Sequence, residues 1–78
     1  MKNIIQAHIY KSGKYFVAEC VDLPVVTQGK TLDELVKNLR EAVGLQLTGE
    51  NLADFGLSAH PSILASFELD PQPEYAKV

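Results

Sequence analysis

YFVAECVDLPVVTQGKTLDELVKNLREAVGLQL, residues 15–47, decides the fold. Tyr15 to Val21 alternates, with Phe16, Ala18 and Cys20 on one side and Tyr15, Val17, Glu19 and Val21 on the other. That period of two is the signature of a strand. A carboxylate avoids an apolar interior, so the side holding Glu19 faces outward and Phe16, Ala18 and Cys20 face the core. Asp22-Leu23-Pro24 breaks the alternation, because Pro24 has no N–H for a ladder and forces Leu23 into an extended conformation. Asp22 suits the turn, where its side chain can bond nearby backbone. Val25 to Gln28 reads as a short third strand that Gly29 ends.

Thr31 then opens a helix. Thr31-Leu32-Asp33-Glu34 has the spacing of a capping box, in which the Thr hydroxyl accepts from the N–H three residues on. Asp33 and Glu34 also suit the positive end of the helix dipole. Leu32, Leu35, Val36, Leu39, Ala42, Val43 and Leu47 recur at three- and four-residue steps and form one apolar stripe. Gly44 weakens the helix interior, and close packing on a sheet would explain it. Gly49 supplies the stop.

Outward from this stretch, Ile4 to Lys11 alternates as a first strand, with Ile5, Ala7 and Ile9 on one face and Ile4, Gln6, His8 and Tyr10 on the other. Ser12-Gly13 joins it to the second strand, Gly13 supplying the positive φ of a tight hairpin. Residues 50–61 are the least patterned, with Leu52 and Phe55 placed to form a short lid ended by Gly56. Ile63 to Leu69 alternates again as a fourth strand. From Asp70 the composition turns to proline and polar residues, so 1–69 reads as one domain and 70–78 as a flexible tail carrying Tyr75. The fold class is α+β, in the order β-β-β-α-β. The sheet is mostly antiparallel, one helix covers one of its faces, and the fourth strand lies parallel to the first.

The 78 residues suffice for one small domain with a thin core. The net charge of −3 argues against a nucleic-acid binder and suits a basic protein partner. The single cysteine, Cys20, reads as a core residue and implies a reducing, cytoplasmic setting. No apolar run is long enough to span a bilayer. Glu19, Asp22 and Glu68 stand apart in sequence, and nothing in their spacing makes them converge as a metal-dependent nuclease requires. No cofactor motif and no catalytic residue emerges. A second copy or a partner would supplement the thin core, so a homo-oligomer, dimer or tetramer, is expected. Candidate contact residues for a partner or a second copy are His8, Tyr10, Tyr15, Val17, Glu19 and Glu68.

Tyr15, Asp22-Leu23-Pro24, Thr27-Gln28-Gly29, Thr31, Glu34, Asn38 and Glu41-Ala42, at their spacing here, resemble the N-terminal domain of the HicB family of antitoxins. The string covers about a third of the chain, and the element order extends the likeness over nearly all of it. Val25-Val26 after the proline departs from the glycine usual there. The resemblance implies a partial ribonuclease-H-like fold without a nuclease site, with Asp22, Pro24, Gly29, Thr31 and Glu34 as its structural signature. It implies binding and neutralisation of a small basic HicA-type mRNA-cleaving toxin. Many family members carry a C-terminal DNA-binding module. Residues 70–78 have no such pattern, so a short form without direct DNA binding is expected. The competing expectation is an orphan oligomeric scaffold or small-ligand-binding module of the same fold.

Overall fold

The computed structural model describes residues 2–49, 51–69 and 71. The chain forms β1 (Lys2–Ser12), β2 (Tyr15–Cys20), β3 (Val26–Gly29), α1 (Leu32–Leu47), a short 3-10 turn (Leu52–Phe55) and β4 (Leu57–Phe67). The expected order and α+β class hold. The sheet is four-stranded in the order β3-β2-β1-β4. β1 is antiparallel to β2, β2 is antiparallel to β3, and β4 lies parallel to β1. The expected tail, 70–78, falls outside the described residues except for Pro71, and Tyr75 falls outside them too.

Local chemistry sets the boundaries. Gly13 has φ 60 at the first position of the two-residue β1–β2 turn, the requirement of a II′ hairpin. At the second turn the Val25 N–H donates to the Leu23 carbonyl across Pro24, 2.8 Å, a three-residue γ-turn that suits the fixed φ of proline. The Cys20 N–H donates to the Val25 carbonyl, 2.9 Å, and closes the loop. Val25 is thereby used in the turn, so β3 starts and ends one residue later than the sequence indicates. Leu23 and Val25 are buried and anchor the loop in the core.

The helix begins as expected. The Glu34 N–H donates to Thr31 Oγ1, 3.1 Å, and Asp33 and Glu34 occupy the first turn. Leu35, Leu39 and Val43 are buried against Ile5, Ala7, Ile9 and Ala18 of the sheet. Leu32 and Val36, part of the apolar stripe, stay about half exposed. The helix packs chiefly over β3 and β2, so the stripe's other flank overhangs the β4 half of the sheet.

Two expectations about glycines change. A Cβ on Gly44 would meet nothing within 4 Å, so this glycine serves no close packing. The close approach is at Gly29. It ends β3 as a buried residue, and a Cβ there would lie 2.6 Å from the Leu35 nitrogen. The fourth strand also starts six residues early, at Leu57 rather than Ile63. A register shift between Lys2 and Ile4 absorbs the extra residues. Leu57, in the stretch expected to be loop, is buried to 1% exposure.

Candidate functional site: the open face of the sheet

Strand parity builds this face. With Ile5, Ala7, Ile9 and Ala18 turned to the helix, the alternate residues of every strand point the other way. β1 contributes Ile4, Gln6, His8 and Tyr10. β2 contributes Tyr15, Val17 and Glu19, and β3 contributes Val26 and Gln28. Ser62, Leu64 and Ser66 of β4, with Glu68 just beyond it, complete the surface. The register brings them into rows: His8 lies between Glu19 and Ser66, and Gln6 beside Leu64.

Side-chain bonds tie the middle of the face together. The Tyr10 hydroxyl donates to Glu19 Oε1, 2.8 Å. His8 Nε2 lies 3.2 Å from Glu68 Oε2. An ionised carboxylate only accepts, so this contact places a proton on Nε2. The His8 and Tyr10 rings are 6.1 Å apart between centroids. The result is a chain of four groups, Glu19–Tyr10–His8–Glu68, running across β2, β1 and the end of β4. Around it stand Ile4, Val21, Val26 and Leu64, all substantially exposed.

Of the six residues proposed from sequence as contacts, His8, Tyr10, Glu19 and Glu68 come together here. Val17 sits beside them, opposite Tyr10. Tyr15 shares the face but lies at the hairpin end, opposite Ser12. Ser66, Leu64 and Val26 belong to the same surface and escaped the sequence reading. They become visible once β4 is aligned parallel to β1, which places Ser66 opposite His8.

Ser66, His8 and Glu68 have the residue types of a hydrolytic triad. Their geometry does not favour that role. Ser66 Oγ is 3.4 Å from His8 Nδ1 and equally 3.4 Å from the Ala7 carbonyl, which it can donate to instead. Both distances are long for a hydroxyl bond, and a serine nucleophile needs its base closer. Among the described residues no group of three His, Cys, Asp or Glu side chains gathers to hold a metal ion. No helix among them is long and apolar enough to cross a membrane.

The acceptor at Glu19 raises the Tyr10 pKa above its usual 10.0, through the hydrogen bond first, then burial, then the carboxylate's charge. Both bond and charge favour the neutral phenol. The stabilisation is therefore complete below the ordinary tyrosine pKa and is lost as pH rises through the raised value. Glu19→Ala lowers the Tyr10 pKa, measured by ultraviolet titration against Tyr10→Phe. An unchanged titration curve would show that the bond does not form in solution. On the other side of the sheet, burial first and then the charge of Asp22 push the Cys20 thiol upward. That keeps it protonated and slow as a nucleophile at neutral pH.

Compared with protein-family models, curated proteins and solved structures, the chain matches none.

Proposed function

We propose that this chain is a non-catalytic, HicB-type antitoxin on a partial ribonuclease-H-like fold, and that its open sheet face binds a small basic HicA-type ribonuclease toxin in the cytoplasm. The observation that carries the reading is the composition of that face. Its ionisable row pairs two carboxylates with a phenol and an imidazole, framed by exposed aliphatic side chains. In the paired rows from Ile4 to Tyr10, His8 is the one basic side chain of this face. Such a surface suits a cationic partner, because acid–base complementarity speeds encounter and excludes wrong partners. Tyrosine at its centre offers a large, rigid contact. The signature of Asp22, Pro24, Gly29, Thr31 and Glu34 supports the same reading through the likeness to HicB proteins.

The test is co-expression with the product of the adjacent reading frame. That product arrests growth alone, and this chain restores it. If no neighbouring product is toxic, the antitoxin reading fails. The face itself is tested with Glu19→Lys combined with Glu68→Lys. Both side chains are exposed, so the fold survives, while affinity for the basic partner falls by about 100-fold. Undiminished rescue by the double variant would place the binding surface elsewhere.

A further inference from the structure

The two edges of the sheet differ. β3 is four residues long, α1 packs over it, and the Asn38 amide donates to its Gln28 carbonyl, 2.8 Å. Short, covered edges resist pairing with other chains. β4 is 11 residues long and lies at the opposite edge. From Ser62 to Phe67 it reads SILASF, with no charge and no proline. Such a run would be a liability if its edge were left bare.

One backbone bond fixes the hydrogen-bonding parity of that edge. The Glu68 N–H donates to the Ile9 carbonyl, 2.9 Å, so Glu68 faces β1. Backbone groups alternate sides along a strand, so Ser66, Leu64 and Ser62 face β1 as well. Ile63, Ala65 and Phe67 then direct their N–H and C=O groups away from the sheet. Pro61 falls on the same outward parity, where its missing N–H takes nothing from the β1 ladder.

We propose that β4 pairs antiparallel with β4 of a second copy about a two-fold axis at Ala65, making one continuous eight-stranded sheet. This register sets Ala65 against Ala65 and Ile63 against Phe67. Every outward group from Ile63 to Phe67 then has a partner, giving about six backbone hydrogen bonds across the axis. Moving the axis to Leu64 would set Phe67 against Pro61, which cannot donate. On the helix side the small Ala65 at the axis is flanked by two Ile63–Phe67 pairs, and both side chains are half-exposed in the single chain. On the open face Leu64 meets Ser66 and Ser62 meets Glu68, so no like charges are opposed. The partner is a second copy because the run is self-complementary in this register. An edge pairing this short buries less than the roughly 1,600 Å² of a typical stable interface. The dimer therefore dissociates in the micromolar range. This association is independent of the toxin-binding reading, since it uses the edge and not the open face.

Sedimentation of the purified chain should shift from monomer to dimer across the micromolar range. Ala65→Pro removes an outward N–H and should remain monomeric, with its far-ultraviolet circular dichroism unchanged. A wild-type chain that stays monomeric throughout, or an Ala65→Pro variant that still dimerises, overturns the proposal. A strand from another protein on this edge is the reading left by the first of those results. Cross-linking checks the register even if Ala65→Pro misfolds. In a Cys20→Ala background, Ala65→Cys should form an interchain disulfide about ten-fold faster than Leu64→Cys or Ser66→Cys. Directly paired residues lie about 5.5 Å apart at Cα, within disulfide reach. Equal rates at the three positions overturn the two-fold at Ala65.

Discussion

Gly29→Ala removes more than half of the domain's stability. The added Cβ would sit 2.6 Å from the Leu35 nitrogen and 2.9 Å from its Cα. Both are backbone atoms in the first turn of the helix, so no side-chain rotation relieves the contact. Relief requires β3 and α1 to separate. That separation would strain the Asn38–Gln28 bond and open the packing of Leu35, which is 0% exposed. Overpacking of this kind costs about 3 kcal/mol. A domain of this size holds a reserve of only about 5 kcal/mol. The midpoint of thermal unfolding, followed by circular dichroism, should therefore fall by more than about 10 °C. The control is Gly44→Ala, where the Cβ meets open space and helix propensity improves by up to about 1 kcal/mol. A Gly29→Ala protein melting with the parent would refute the close approach of strand and helix.

Leu57→Ala costs about 3 kcal/mol, the usual price of deleting a buried leucine side chain in a core that collapses only partly. Leu57 is among the most deeply buried side chains and begins β4, beside the 3-10 turn. Its truncation leaves a hole under that turn and loosens the start of the strand. Urea denaturation should show a lower midpoint with an unchanged slope, since the folded architecture persists. Leu45→Ala, at a position 77% exposed, should be nearly neutral. Equal effects at the two positions would contradict the burial of Leu57.

The difference between these leucines shows what the sequence makes legible. β1, β2 and α1 could be read because their periods are unbroken and their ends carry chemical markers, Gly13 at the hairpin and Thr31 at the cap. The start of β4 could not. Gly56 stands just before it, and His60 and Pro61 interrupt the alternation where the register against β1 shifts. Nor could the glycines be told apart. Gly29 sits between polar residues and Gly44 between apolar ones, yet only the placement of the helix over β3 decides which one is crowded. The same placement leaves Leu32 and Val36 half exposed although they share the helix stripe with Leu35 and Leu39. At the open face, alternation alone selected His8, Tyr10 and Glu19. Linking His8 to Ser66 and Glu68 needed the strand order, because parallel pairing joins the two ends of the chain.

That pairing has a consequence for how the protein is made. His8 and Ser66 are 58 residues apart in sequence, yet they share one row of the sheet. β1 is synthesised before β2, β3 and α1, and it must wait for β4 until all three have been made. Until then one side of β1 is unpaired, and Ile5, Ala7 and Ile9 lack part of their cover. Closing so long a loop is slow compared with forming the hairpin or the helix. The rate-limiting step of folding should therefore be the docking of β4. The vulnerable species is a nascent chain that already has its hairpin and its helix but still lacks its last strand.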